Sequence, residues 1–468
     1  MNKDQVNIPA IPKQLIEALN KLDHFDAQAF QNIHQSGEQV VSVRFNPAKM
    51  KMEKEMGSSQ IPGLSFPLAG RIPWTSNGYY LSERPSFTLD PIFHAGGYYV
   101  QEASGMFLEH ALRQTVDLSI PLKVLDLCAA PGGKSTLIQS MISNNSLLLS
   151  NEVIKTRVPV LHQNLSKWGL MNALISNNDP KDFKRIPGFF DVLFIDAPCS
   201  GSGLFRKDPQ AIGEWSEERV KLCSHRQQRI LADAWDCLKE NGVLIYTTCS
   251  YSPEENEDML DVLLHDYACE TICIPLEPSW KIVETLSEKA RGYGYRFYPD
   301  KLKGEGFYLC AVRKKSGNQV IPKSREKRDV PGKKEESALR KFIPDQHIQF
   351  ERINEWFHAL PESMLDDFLF LKSHLYLKKA GVMAGRMGPD EWIPDHELAL
   401  STALDPGIPA LELSLSDALK YLRRDVLYTE LPNKGWMPVS FGYQKLGWVK
   451  MLPNRLNNYF PKAWRILK

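Results

Sequence analysis

The chain has 468 residues, 43% apolar and 24% charged, with a formal net charge of +1. That balance is typical of folded proteins and excludes a disordered or collagen-like chain, and the length predicts about three domains. No apolar run approaches the roughly 20 residues that span a bilayer, and residues 1–24 lack the apolar core of a secretion signal, so a cytoplasmic chain without a membrane partner is expected. Eight cysteines without a CxxC pair give no reason to expect a disulfide framework or a structural zinc site, and no metal is assigned. Cys269 and Cys273 are expected to be buried small apolar residues.

In chain order, Ile11, Leu15, Ile16, Leu19 and Leu22 recur at helical spacing. Residues 40–45 then read as a strand stopped by Asn46-Pro47, which makes 1–97 a small N-terminal α+β domain. Over 98–315, short apolar strands alternate with helices expected at 155–168 and 225–239. Val124-Leu125 leads into a glycine-rich turn, strand 147–149 runs toward Glu152, and strand 173–176 toward Asp179. Strand 191–195 reaches Asp196, and strand 243–246 runs toward Cys249. The alternation predicts an α/β domain with a mostly parallel, doubly wound, Rossmann-like sheet. Ligands of such sheets bind beyond the carboxyl ends of the strands, where every one of these residues falls. Residues 316–344 read as a basic linker. The region 345–468 is expected to fold again, with a helix over 354–377 and an end rich in strands and turns.

Charge that cancels over the whole chain is concentrated locally. Residues 313–334 carry nine Lys or Arg against only Glu326 and Asp329, and residues 434–468 carry seven and no acid. Such concentration raises local potential.

The run Asp126-Leu127-Cys128-Ala129-Ala130-Pro131-Gly132-Gly133-Lys134 joins a strand to a helix. Its small residues allow backbone to approach a ligand closely, beside the unpaired N–H groups of a helix start. It is neither GxGxxG nor a phosphate-binding P-loop. Glu152 stands about 20 residues on, where the ribose-binding acid of a Rossmann-type unit falls, and Asp179 can receive an adenine amino group. For the glycines alone, an ordinary tight turn stays open as an alternative. The loop together with acids at successive strand ends calls for a ligand.

Asp196-Ala197-Pro198-Cys199-Ser200-Gly201 closes the fourth strand and Thr247-Thr248-Cys249-Ser250 the fifth, which brings both thiols to one cleft. These motifs, the 126–134 loop and the following Glu254-Glu255-Asn256-Glu257 resemble the Nol/Nop/Sun RNA cytosine-5 methyltransferases. Tyr99-Val100-Gln101-Glu102-Ala103-Ser104 is similar to that family's lead-in segment, and Arg206-Lys207-Asp208-Pro209 to its RNA-facing loop. Leu446-Gly447-Trp448-Val449-Lys450 and residues 455–461 resemble its bacterial 16S ribosomal RNA branch (RsmF-like). The resemblance covers about residues 40–468 and is most specific over 98–314.

The resemblance implies a class I methyltransferase domain that uses S-adenosyl-L-methionine. It implies a cofactor pocket formed by Cys128, Ala129, Ala130, Pro131, Gly132, Gly133, Lys134, Glu152, Asp179 and Asp196. It further implies attack by Cys249, release assisted by Cys199, and Asp196 at the ring nitrogen. Lys134 is expected to orient Asp196 or to lower a thiol pKa, and Cys128 to line the pocket without doing chemistry. The chemistry asks for the same groups, because carbon 5 of cytosine becomes nucleophilic only after a thiolate adds at carbon 6 and an acid stabilises the ring.

The resemblance also implies RNA as partner, 16S ribosomal RNA or the small subunit, bound by the flanking domains and a PUA-like barrel at the end; a monomer without DNA is expected. Transfer RNA as substrate, or a catalytically silent assembly factor, stay open. DNA cytosine methylation would use Cys199 for attack and leave Cys249 without a role. Trp436, Phe441, Tyr443, Trp448, Tyr459, Phe460 and Trp464 interleave with the terminal basic residues and are divided between barrel core and base stacking. Arg44 and the loop at 206–209 are candidate RNA contacts. The family's usual Ser is Thr247 here, and its His after the proline is Asp300, near Arg296.

Overall fold

Strands β1 (Val41–Phe45), β2 (Leu68–Arg71), β3 (Gly78–Leu81) and β4 (Tyr98–Val100) pair antiparallel in the order β2-β3-β1-β4. The computed structural model describes residues 9–50, 64–317, 326–389, 391–427, 434–453 and 455–467. Helices Lys13–Leu19 and Ala27–Gln35 do not cover this sheet. Their buried Leu15, Leu19 and Phe30 pack with Phe205, Tyr251 and Tyr298, against loops of the next domain.

That next domain is built on β5 (Lys123–Asp126), β6 (Leu147–Asn151), β7 (Ala173–Ser176), β8 (Phe190–Asp196) and β9 (Leu238–Thr248). These five are parallel, in the order β7-β6-β5-β8-β9. The chain moves outward from β5 through β7, then returns to β8 and moves the other way. This reversal between β5 and β8 opens a crevice at their carboxyl ends, where ligands of open α/β sheets bind. After β10 (Cys269–Thr271), β11 (Val283–Leu286) and β12 (Tyr293–Phe297), strand β13 (Phe307–Lys314) runs antiparallel beside β9 and extends the sheet through β12 to β11. The parallel strands are buried on both faces, Leu125, Leu149, Leu174 and Leu193 at 0% exposure, which is why they read as continuous apolar runs.

The remaining strands are β14 (Ile348–Ile353), β15 (Trp356–Pro361), β16 (Leu377–Ala380), β17 (Val382–Met387), β18 (Trp392–Pro394), β19 (Leu411–Glu412), β20 (Gly435–Phe441), β21 (Gln444–Leu452) and β22 (Arg455–Asn458). One sheet has the order β14-β15-β17-β18 and a second the order β19-β20-β21-β22. β16 leaves both and pairs antiparallel with β7, at the outer edge of the central sheet.

Several expectations are corrected. The boundary at 97/98 falls one strand early, because β4 hydrogen-bonds to β1. The linker read over 316–344 contains helix Lys333–Arg340, whose Leu339 is fully buried; of its basic run, 318–325 lie outside the described residues. Region 345–468 is not one unit: Leu360, Phe368, Phe370 and Leu371 belong to the same core as Leu125, Leu149 and Phe189. The helix expected over 354–377 is strand β15 followed by helix Leu365–His374; periodicity alone did not separate the two. The helix expected over 225–239 runs Glu217–Ala234, and β9 begins at Leu238. Helix 155–168 is observed as Val158–Trp168. Cys269 is half-buried, and Cys273 is exposed rather than buried.

Candidate active site

The loop after β5 is held by its neighbours on both sides. Leu127 N–H donates to the Phe194 carbonyl at 3.0 Å and Ala129 N–H to the Asn151 carbonyl at 2.8 Å. Asn164 Nδ2 donates to the Pro131 carbonyl at 2.8 Å, and the Ala130–Pro131 peptide is cis. Gly132 caps helix Gly133–Met141 at φ +110°, a conformation that L side chains rarely adopt. It faces helix Val158–Trp168 rather than the cleft: a Cβ there would meet Leu161 Cδ1 at 3.2 Å.

The other candidates converge. Cys128, Ala129, Ala130, Pro131, Gly133, Lys134, Glu152, Asp179, Asp196, Cys199 and Cys249 all line one cavity of about 840 Å³, the size range of cofactor sites. Asp126 lies at its floor, fully buried. Ser135 Oγ donates to its Oδ2 at 2.6 Å, while Oδ1 has no partner. Burial, aided by the charges of Asp196 and Glu152, pushes this carboxyl up to about 7. Glu152 accepts from Ile154 N–H at 2.8 Å and faces Arg157 Nη1 at 3.3 Å. Asp179 accepts from Lys181 N–H at 3.1 Å, at the start of a 3-10 turn. Cys128 sits deep in the same loop, and burial with the neighbouring acids drives its thiol well up.

An acid-rich cavity with an orphaned carboxylate oxygen at its floor fits a ligand that carries an ammonium and a sulfonium. Glu152 and Asp179 at successive strand ends fit ribose hydroxyls and an adenine amino group.

Around the thiols, Lys134 Nζ donates to Asp196 Oδ2 at 2.7 Å and Thr247 Oγ1 to Asp196 Oδ1 at 2.9 Å. Thr247 therefore supplies the hydroxyl that orients this carboxylate. Burial works against the Lys134 charge, but Asp196, Cys249 and Asp126 outweigh it and raise its pKa. The Cys199 and Cys249 sulfurs stand 3.0 Å apart. The hydrogen bond to Cys249, then burial, push the Cys199 thiol well up.

In the sequence, Glu255 stands only as one member of the Glu254-Glu255-Asn256-Glu257 motif, with no role of its own. Its buried carboxylate accepts from Ser200 N–H at 2.8 Å and from the Ser200 and Ser250 hydroxyls at 2.5 Å each. Gln227 Nε2 adds a fourth donor at 3.1 Å. Glu255 thus joins the residue after Cys199 to the residue after Cys249 and fixes the two loops in register.

Two expected RNA contacts are corrected. Arg44 is 2% exposed: it donates to Gln101 Oε1 and Thr136 Oγ1, both at 2.7 Å, and lies over the Trp168 ring. It fastens the N-terminal sheet to the helix that follows the cofactor loop. Arg206 is also buried, donating to the Glu38 carbonyl at 2.7 Å, although Lys207 and Asp208 beside it are exposed. Arg296, near Asp300, is buried in an ion pair with Glu257.

Among the terminal aromatics, Trp448 and Phe460 are each 1% exposed, whereas Tyr443 is 88% exposed and Tyr459 43%. Trp436, Phe441 and Trp464 are half-buried.

This fold, with its small-residue loop and acids at successive strand ends, defines an S-adenosylmethionine-dependent methyltransferase. The description "16S rRNA methyltransferase RsmB/F" matches residues 116–313, the N-terminal domain of RsmF matches 11–103, and the methyltransferase RsmF PUA domain matches 408–466. The chain is 30% identical over 442 residues to ribosomal RNA small subunit methyltransferase F of Psychromonas ingrahamii, covering 90% of each. Its Escherichia coli counterpart is 29% identical over 413 residues, covering 84% of each. Among solved structures, a methyltransferase homologue from Pyrococcus horikoshii matches with TM-score 0.50 and 25% identity, over 65% of this chain and 100% of that one. NSun6 from Pyrococcus horikoshii, solved with SFG, has the same fold, with TM-score 0.52 and 17% identity over 66% of this chain and 99% of that one. The chain belongs to the RsmB/F methyltransferase family, and its last described sheet is the PUA domain.

Proposed function

We propose that the protein methylates carbon 5 of cytosine in 16S ribosomal RNA, with Cys249 as nucleophile. The observation that carries this reading is the pair of thiols 3.0 Å apart at the ends of β8 and β9, in the cavity that also holds the cofactor loop. The names of the most similar relatives support small-subunit ribosomal RNA as the target.

A cytosine reaches this depth only when flipped out of its stack. The Cys249 thiolate adds to carbon 6, and Asp196, held by Lys134 and Thr247, faces the ring nitrogen and shares a proton with it. Carbon 5 then has enamine character. The cofactor supplies the methyl group on a positively charged sulfur, which carbon 5 can take up. A base in the cavity removes the carbon 5 proton. Cys199, still protonated, donates a hydrogen bond to the Cys249 sulfur as the bond to carbon 6 breaks.

The two thiols therefore act on opposite sides of methyl transfer. Cys249→Ala should abolish methylation and form no RNA adduct. Cys199→Ala should accumulate a cofactor-dependent covalent protein–RNA complex, visible as a slow band on a denaturing gel, and the double variant should show none. An adduct in Cys249→Ala and none in Cys199→Ala would move the nucleophile to Cys199 and overturn the assignment. Assaying 16S RNA, small subunits and transfer RNA side by side tests the choice of RNA.

A further inference from the structure

Asp126, Glu152, Asp179 and Asp196 line the cavity. That suits a cationic cofactor but repels the phosphates of a strand that brings a base to Cys249. Five basic side chains line the same cavity: Lys134, Arg157, Arg219, Arg226 and Arg229. Three of them are committed, Lys134 to Asp196 at 2.7 Å, Arg157 to Glu152 at 3.3 Å and Arg219 to Glu214 at 2.9 Å. Arg226 and Arg229 are exposed, and no carboxylate pairs with either among the described residues.

They stand three residues apart on helix Glu217–Ala234, so they are neighbours on one face. Cys223, Gln227, Ile230 and Leu231 bury the adjoining side of the helix. Gln227 Nε2 donates to the Pro198 carbonyl and to Glu255 Oε1, both at 3.1 Å. The position of the two arginines is thereby keyed to the loop that carries Cys199. Guanidinium groups match phosphate oxygens in a bidentate manner.

Resting on the cytosine reading above, we propose that Arg226 and Arg229 grip the phosphates of the RNA strand beside the flipped cytosine and offset the acids that line the cavity. The test compares wild type, R226A/R229A and R226K/R229K on transcribed 16S RNA, with KM measured across a salt series. The alanine pair should raise KM for RNA by about tenfold or more with a smaller change in kcat. Losing two single-strand phosphate contacts should also flatten the salt dependence by about 1.4 in log–log slope. Cofactor affinity by calorimetry should match wild type, and the lysine pair should recover most of the slope but less of the affinity. Unchanged KM and slope in the alanine pair, beside an active wild type, would overturn the arginine assignment alone. A wild-type enzyme that methylates no cytosine in RNA would overturn the cytosine reading, and this proposal with it.

Discussion

The carboxyl edge of the central sheet and its outer flank beside β7 are assembled by opposite rules. At the edge, each strand delivers its own functional group within a few residues of its end: Glu152 after β6, Asp179 after β7, Asp196 closing β8 and Cys249 after β9. Polar contacts hold these groups, with Glu255 joining Ser200 to Ser250. At the flank, β16 and helix Leu365–His374 arrive from beyond the basic linker and are held by apolar packing, Phe370 stacking on Phe189 at 5.2 Å between ring centres. The pairing of β16 with β7 and polar contacts such as Lys123 Nζ to Asp367 Oδ1 at 2.6 Å and Tyr376 N–H to Asn178 Oδ1 at 2.9 Å reinforce it. Local chain geometry arranges the chemistry, and distant chain closes the core that supports it.

The largest effect that sharpens this contrast should come from truncation at the flank. Ending the chain after Gln346 strips Leu360, Met364, Phe368, Phe370 and Leu371 from the central core. At about 1.5–3 kcal/mol per buried side chain, the loss rivals the whole stability of a typical domain, about 5–15 kcal/mol. That fragment should fail to unfold cooperatively, whereas a chain ended after Gly407 should keep the central sheet and bind cofactor. Thermal unfolding and calorimetry distinguish them, and wild-type cofactor affinity in the shorter fragment would break the comparison.

At the edge, Glu255→Ala removes the acceptor shared by Ser200 and Ser250 and leaves buried donors without partners, each worth about 1–3 kcal/mol. Methylation should fall by about 10–100-fold while cofactor affinity stays near wild type, and Glu255→Gln should recover much of the rate. An unchanged rate in Glu255→Ala would mean that the two thiol loops hold their register without it. The smallest effect expected is that of Glu152→Ala, a weakening of cofactor binding by about tenfold or somewhat more from loss of a hydrogen-bonded carboxylate worth about 1.5–3 kcal/mol. Calorimetry with equal affinity for both proteins would remove Glu152 from the site.

The contrast between Arg44 and Arg226 marks where reading a sequence stops. Arg44 stands in a strand expected to contact RNA, and Arg226 in an expected helix to which the sequence assigns no role. Arg44 is buried and bonded to Gln101 and Thr136, whereas Arg226 is exposed at the cavity rim. Nothing in the residues around either one distinguishes them, because burial depends on which domain packs against the strand. Glu255 is a similar case: its acidity is written in the chain, but its four donors come from the 200 and 250 loops and from Gln227.

By itself the sequence determined the alternation of strand and helix through the central domain and the positions of the loop, the acids and the thiols at strand ends. These depend on apolar periodicity and on residues close in the chain, which local physics decides. Only the tertiary structure decided that β4 belongs to the N-terminal sheet and that β16 extends the central one. It alone decided that Arg44 is a fastener and that the Cys199 and Cys249 sulfurs meet at 3.0 Å. Those outcomes rest on pairings between distant segments, whose energy comes from shared burial that no single stretch of chain carries.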